Sequence, residues 1–144
     1  MLGKQSMERY AEVLLWGLRT ARKGTFRKGD IVLVRYQRVS TPLAEVLEGK
    51  LLDRGYNPVL RMGLTPGMER TFYERANARQ LVFMPPGTTE LYEHLNGSIF
   101  LHAPDSLTHL RDIDPKRIGK TAVAFKPLRD ILNKREDQGN FGWT

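Results

Sequence analysis

An α/β fold, a mainly parallel sheet sandwiched by helices in a Rossmann-like or flavodoxin-like open arrangement, is what this chain predicts. Three observations point to it. Residues 31–34 read Ile-Val-Leu-Val, a β-branched run with too little alternation for a half-exposed strand, so a central buried one is expected. A helix-spaced apolar stripe and a second short apolar run, residues 58–62, follow it in the order that makes a right-handed parallel crossover. A third run, residues 98–103, comes after further helical stripes.

From residue 5 to 21, Met7, Tyr10, Val13, Leu14 and Leu18 recur at three and four, with Leu15 and Trp16 widening the stripe of an amphipathic helix. Gly24 and Gly29 bracket a basic turn before the first strand, residues 31–35. Thr41 and Pro42 supply an N-cap and a first helical residue, and Leu43, Val46, Leu47, Leu51 and Leu52 share one face up to a stop at Gly55. After the second strand and Gly63, Thr65 and Pro66 open a third helix through Tyr73, with Glu69 and Arg70 expected on its exposed side.

Asn77 and Gln80 have the spacing of a capping box, and residues 90–95 read as a short helix ended by Asn96-Gly97. The third strand, residues 98–101, runs on to Pro104, where Asp105 or Ser106 is expected to cap a brief helix. Asp114-Pro115 starts a longer helix, expected to bend at Pro127 and run through Leu132. A polar run over residues 133–140 then gives way to Phe141-Gly142-Trp143-Thr144, where strand-like residues resume. The first three long helical stripes are expected to pack on the sheet. The whole reads as one α/β domain, residues 1–144, that stops mid-element, as the N-terminal domain of a longer chain would if cut after Thr144.

Composition narrows the function classes. The 144 residues include no cysteine, which leaves no disulfide framework or thiolate metal site and favours a cytoplasmic origin. No signal peptide or membrane span is legible near the N-terminus. The net charge is +7, and residues 1–38 carry nine basic and three acidic side chains. Clustered basic charge suits a polyanion, yet an excess of this size is common on solvated surfaces, so nucleic acid is not the expected partner.

The chemistry-bearing patterns are weak. Of the three histidines, His102 and His109 could approach across the turn at Pro104, but no two-histidine helix spacing for a metal is present. Ser106, His109 and Asp112 are spaced as neighbours on one helix face, which supplies neither the tight nucleophile turn nor the oxyanion donors of a working triad. Gly119-Lys120-Thr121 imitates the end of a phosphate loop, with Asp114 where the earlier glycine is required. The more credible surface is general to open α/β sheets, beyond the carboxyl ends of the strands. That selects residues 37–41 and 64–67, with Arg38, Thr41 and Thr65 as candidate contacts for a peptide or an anion and Arg35 adding charge nearby.

The segments also carry a resemblance. Residues 8–18 (ERYAEVLLWGL), 28–35 (KGDIVLVR), 42–45 (PLAE), 55–59 (GYNPV) and 95–99 (LNGSI), in that order, resemble the thermophilic aminopeptidases of the aminopeptidase T and aminopeptidase S type. The likeness runs over essentially the whole chain. It implies a cytoplasmic, homodimeric exopeptidase whose two divalent metal ions, of the zinc, cobalt or manganese type, and catalytic acid belong to a C-terminal catalytic domain. No catalytic or metal residue is carried over to this stretch, and no cofactor is expected on it. The expectation is a non-catalytic domain whose partners are that catalytic domain and a peptide substrate. The alternative is a stand-alone basic α/β module for nucleic acid or an anionic ligand.

Overall fold

The computed structural model describes residues 3–144. Four parallel strands, β1 (Ile31–Tyr36), β2 (Asn57–Met62), β3 (Gly97–Leu101) and β4 (Gly142–Trp143), form one sheet in the order β2-β1-β3-β4. Around them stand α1 (Lys4–Ala21), α2 (Thr41–Asp53), α3 (Pro66–Arg75), α4 (Thr88–His94) and α5 (Pro115–Asp137). The α/β prediction holds, and β1 is the central strand expected, with Val32, Leu33 and Val34 buried.

Alternation along the strands divides the core in two. Val32 and Val34 point to one face with Ile99 and Leu101, where they meet Ala11, Leu15 and Leu18 of α1 and Ala44, Leu47 and Leu51 of α2. Leu33 points to the other face and packs with Leu95, Phe141, Leu91, Tyr92 and Leu132, so α4 and α5 cover that side. Each buried leucine contributes roughly 1.5–3 kcal/mol by leaving water, which makes the first face, with four of them on the two helices, the stronger half.

In α1 the buried face is Ala11, Leu15 and Leu18, whereas Tyr10, Val13 and Trp16 are half exposed or more. The helix carries more apolar surface than the sheet can cover, so the spacing alone overstated the stripe. Leu52 of α2 is likewise exposed. Helix α3 buries no residue, and its partners lie in the loop after β3 and in α5: Arg70 Nη1 donates to the His109 carbonyl at 2.7 Å, and Arg117 Nε of α5 donates to the Tyr73 carbonyl at 2.6 Å. It therefore braces the strand ends and does not lie on the sheet as the first two helices do.

The brief helix expected after Asp105 is a series of turns, and α5 continues unbroken through Pro127 to Asp137, beyond the polar boundary read from composition. Asn77 and Gln80 do form a reciprocal cap, Asn77 Oδ1 accepting from Gln80 N at 2.9 Å and Gln80 Oε1 from Asn77 N at 2.8 Å, but it leads into a single 3-10 turn. Gly119-Lys120-Thr121 lies inside α5, with no loop to cradle a phosphate.

The N-terminal ends of the strands are tied together tightly. Gly24 N donates to the Gly139 carbonyl at 3.1 Å, and a Cβ on Gly24 would stand 2.3 Å from that oxygen. Only glycine allows this approach. The Arg22 guanidinium reaches the same carbonyl through Nε at 3.1 Å and Asp30 Oδ2 through Nη1 at 2.8 Å. Asn96 Oδ1 accepts from Ile31 N at 2.9 Å, closing the start of β1. On the outside of the first face, Lys50 bridges Glu8 and Glu12, each at 2.8 Å, and Arg54 joins Glu12 at 2.8 Å. The Lys50 hydrogen bond holds the Glu12 carboxyl below the usual carboxylate range. No helix among the described residues is long and apolar enough to cross a membrane.

Candidate functional site

The opposite, C-terminal ends of the strands carry the loops that the sequence singles out. A 3-10 turn (Arg38–Ser40) follows β1, residues 63–65 follow β2, and the turns of residues 102–114 follow β3. They meet in a narrow cleft walled by Arg38, Leu64, Thr65, Glu69, Asp105 and His109. Its interior volume of about 20 Å³ admits roughly one water molecule. Two of the three candidate residues, Arg38 and Thr65, therefore line one site.

Their side chains already have partners. Arg38 Nη2 stands 3.5 Å from Asp105 Oδ2, and the arginine side chain remains 70% exposed. Thr65 caps α3, its hydroxyl accepting from Met68 N at 3.2 Å, as the Thr-Pro pair predicts. Thr41 departs from its expected role as N-cap: it is the first helical residue, and its hydroxyl donates to the Arg38 carbonyl at 2.7 Å. It fixes the turn that carries Arg38 and is not among the residues walling the cleft.

Glu69 and His109 are the pair that the spacing of motifs missed. His109 Nε2 is 2.7 Å from Glu69 Oε2, joining the loop after β3 to the first turn of α3. The His109 side chain is 20% exposed and that of Glu69 37%, and His109 Nδ1 is buried with no partner among the described residues. Nearby, burial and then the Glu69 charge push the Tyr73 hydroxyl above its ordinary range, against a bond to Thr121 that lowers it. The Ser106, His109, Asp112 spacing yields no triad, since the turns replace the helix it needed and Ser106 Oγ accepts from Thr108 N at 3.3 Å. His102 is not brought to His109 either. Its ring stacks at a tilt on Phe100, 5.4 Å between centroids.

Whether this chain could hold a metal is a question about donors. Among the described residues no three His, Asp or Glu side chains converge, and the one histidine–carboxylate pair there, His109 Nε2 with Glu69 Oε2, has no third donor beside it. The donor set does not fit a two-metal centre.

The family model described as "Thermophilic metalloprotease (M29)" matches residues 3–144. The chain belongs to that family. A search of the curated proteins gives no match. Among solved structures, wild-type AmpT from Thermus thermophilus is similar, with a TM-score of 0.68 over 98% of this chain at 16% identity. That likeness is one of fold. This member of the metalloprotease family spans 35% of the length of that structure.

Proposed function

We propose that this chain is the non-catalytic N-terminal domain of a metal-dependent aminopeptidase that removes N-terminal amino acids from peptides, and that it shapes the entrance to an active site built by the rest of the enzyme. The observation that carries the reading is the family match over residues 3–144 on a chain whose own donors do not converge on a metal among the described residues. The matched structure is nearly three times as long, which leaves room for a catalytic domain. In this reading the cleft between Arg38, Thr65 and His109 faces the peptide path, the Arg38–Asp105 contact opens, and Arg38 receives a carboxylate. Two divalent metals and a second copy of the enzyme belong to the complete protein, which works in the cytoplasm.

The test is an assay of the purified 144-residue chain on aminoacyl amides with zinc, cobalt or manganese added. No turnover is expected, because no group of His, Asp or Glu among the described residues could hold a metal and its water. Chelator-sensitive hydrolysis by this chain alone would overturn the reading.

A further inference from the structure

The second face of the sheet is only half covered. Helices α4 and α5 reach the row that Leu33 occupies through Leu91, Tyr92 and Leu132, and the next row toward the C-terminal ends lies open. That row is set by register. Arg35 of β1 pairs with Arg61 of β2 on one side and with Phe100 of β3 on the other, so all three project to the same side. Phe100 is 43% exposed, and Trp143, on the same face one row lower beside Ser98, is 59% exposed. Arg35, Arg61, Gly63, Leu64, Glu69 and Phe100 line a groove of about 320 Å³ there, within the range of ligand sites and far roomier than the adjoining cleft.

Two features of the row call for an anion. Like charges directly opposite on neighbouring strands, about 4.8 Å apart, destabilise a sheet, and neither Arg35 nor Arg61 has a carboxylate partner among the described residues. The Arg35 guanidinium is also held in place, 4.8 Å above the Phe100 ring, so little freedom is lost when it meets a carboxylate. The one acidic wall residue, Glu69, is engaged by His109.

We infer that this open half-face is a docking groove for an acidic, extended polypeptide segment, with carboxylates on Arg35 and Arg61 and apolar side chains against Leu64 and Phe100. A nucleic-acid strand fits less well, because the Arg35 guanidinium already stands over the Phe100 ring and competes there with a base for stacking. The inference takes from the proposed function only that polypeptide is the ligand class, and it names residues that function does not use.

The experiment is calorimetric titration of the 144-residue chain, at low ionic strength, with an acetylated and amidated tetraglutamate. Parallel arms use tetraglutamine, free glutamate and oligothymidylate, and the variants are Arg35→Gln, Arg61→Gln and, as a distant basic control, Arg27→Gln. Saturable tetraglutamate binding is expected, weakened about tenfold by each groove variant as one charge-assisted hydrogen bond is lost, and unchanged by Arg27→Gln. Tetraglutamine and free glutamate should bind at least tenfold more weakly. Absence of binding, equal binding by all three variants, free glutamate as tight as the peptide, or tighter arginine-dependent binding of oligothymidylate would each overturn the inference. Metal-dependent hydrolysis by the chain would sink the proposed function and leave this arginine dependence standing, so the two failures are distinguishable.

Discussion

The two ends of the sheet each hold an arginine–aspartate pair, and the pairs differ in almost everything but chemistry. At the N-terminal end Arg22 and Asp30 meet at 2.8 Å with side chains 8% and 15% exposed. Asp30 also accepts from Arg27 N at 2.9 Å, and Arg135 packs close enough that burial, and then the Arg22 charge, lower its pKa. At the C-terminal end Arg38 and Asp105 meet at 3.5 Å, the arginine mostly in solvent. The first pair is desolvated and shares a carbonyl with a glycine contact, so breaking it strands a charge. The second is screened, and losing it costs little. The lesson is positional: the fold is locked where chains enter the strands and is left adjustable where they leave them, which is where open α/β sheets bind ligands.

The sharpest way to break this contrast is Arg22→Ala. It should destabilise by about 3 kcal/mol, lowering the melting temperature by roughly 10 °C for a chain of this size. A thermal melt shifted by less than a few degrees would make the two pairs equivalent after all.

Glycines extend the comparison. Gly24→Ala puts a Cβ against the Gly139 carbonyl and should cost about 1–3 kcal/mol in denaturant unfolding. Gly67→Ala, in α3 above the strand ends, meets nothing within 4 Å and should be neutral or stabilising by up to about 1 kcal/mol. The contrast fails if both variants move the unfolding midpoint alike. The smallest effect is expected for Asp105→Asn, below about 0.5 kcal/mol in stability, and that variant should free Arg38 for an added anion.

The same two ends differ in how far the sequence reveals them. Strand β1 was legible because four consecutive apolar residues have few homes outside a central parallel strand, and the cap at Thr65 because a hydroxyl followed by proline is a local signal. What lay beyond reach depends on partners distant in the chain. Residues 105–113 carry the marks of a helix start, yet Glu69 and Arg70, some forty residues earlier, bind His109 and its carbonyl and hold turns instead. The exposure of Tyr10, Val13 and Trp16 follows from how much of α1 the sheet can cover, a quantity no spacing encodes. The row of Arg35, Arg61 and Phe100 appears only when register is known, since the three are far apart in sequence.

The strand order has a consequence for synthesis. The central strand finds its first neighbour, β2, at once, through the short β1-α2-β2 crossover, but its second, β3, ends at Leu101, about 40 residues after β2 ends at Met62. At ribosomal speeds of about 5–20 residues per second, that gap lasts on the order of 2–8 s. During it, Val32, Leu33 and Val34 present one unpaired backbone edge, β-branched for the most part and without charge, of the kind that recruits strands from other chains. Arg35 closes this segment on one side and Asp30 stands before it on the other. These flanking charges act as gatekeepers for a nascent edge well before β3 arrives to bury it.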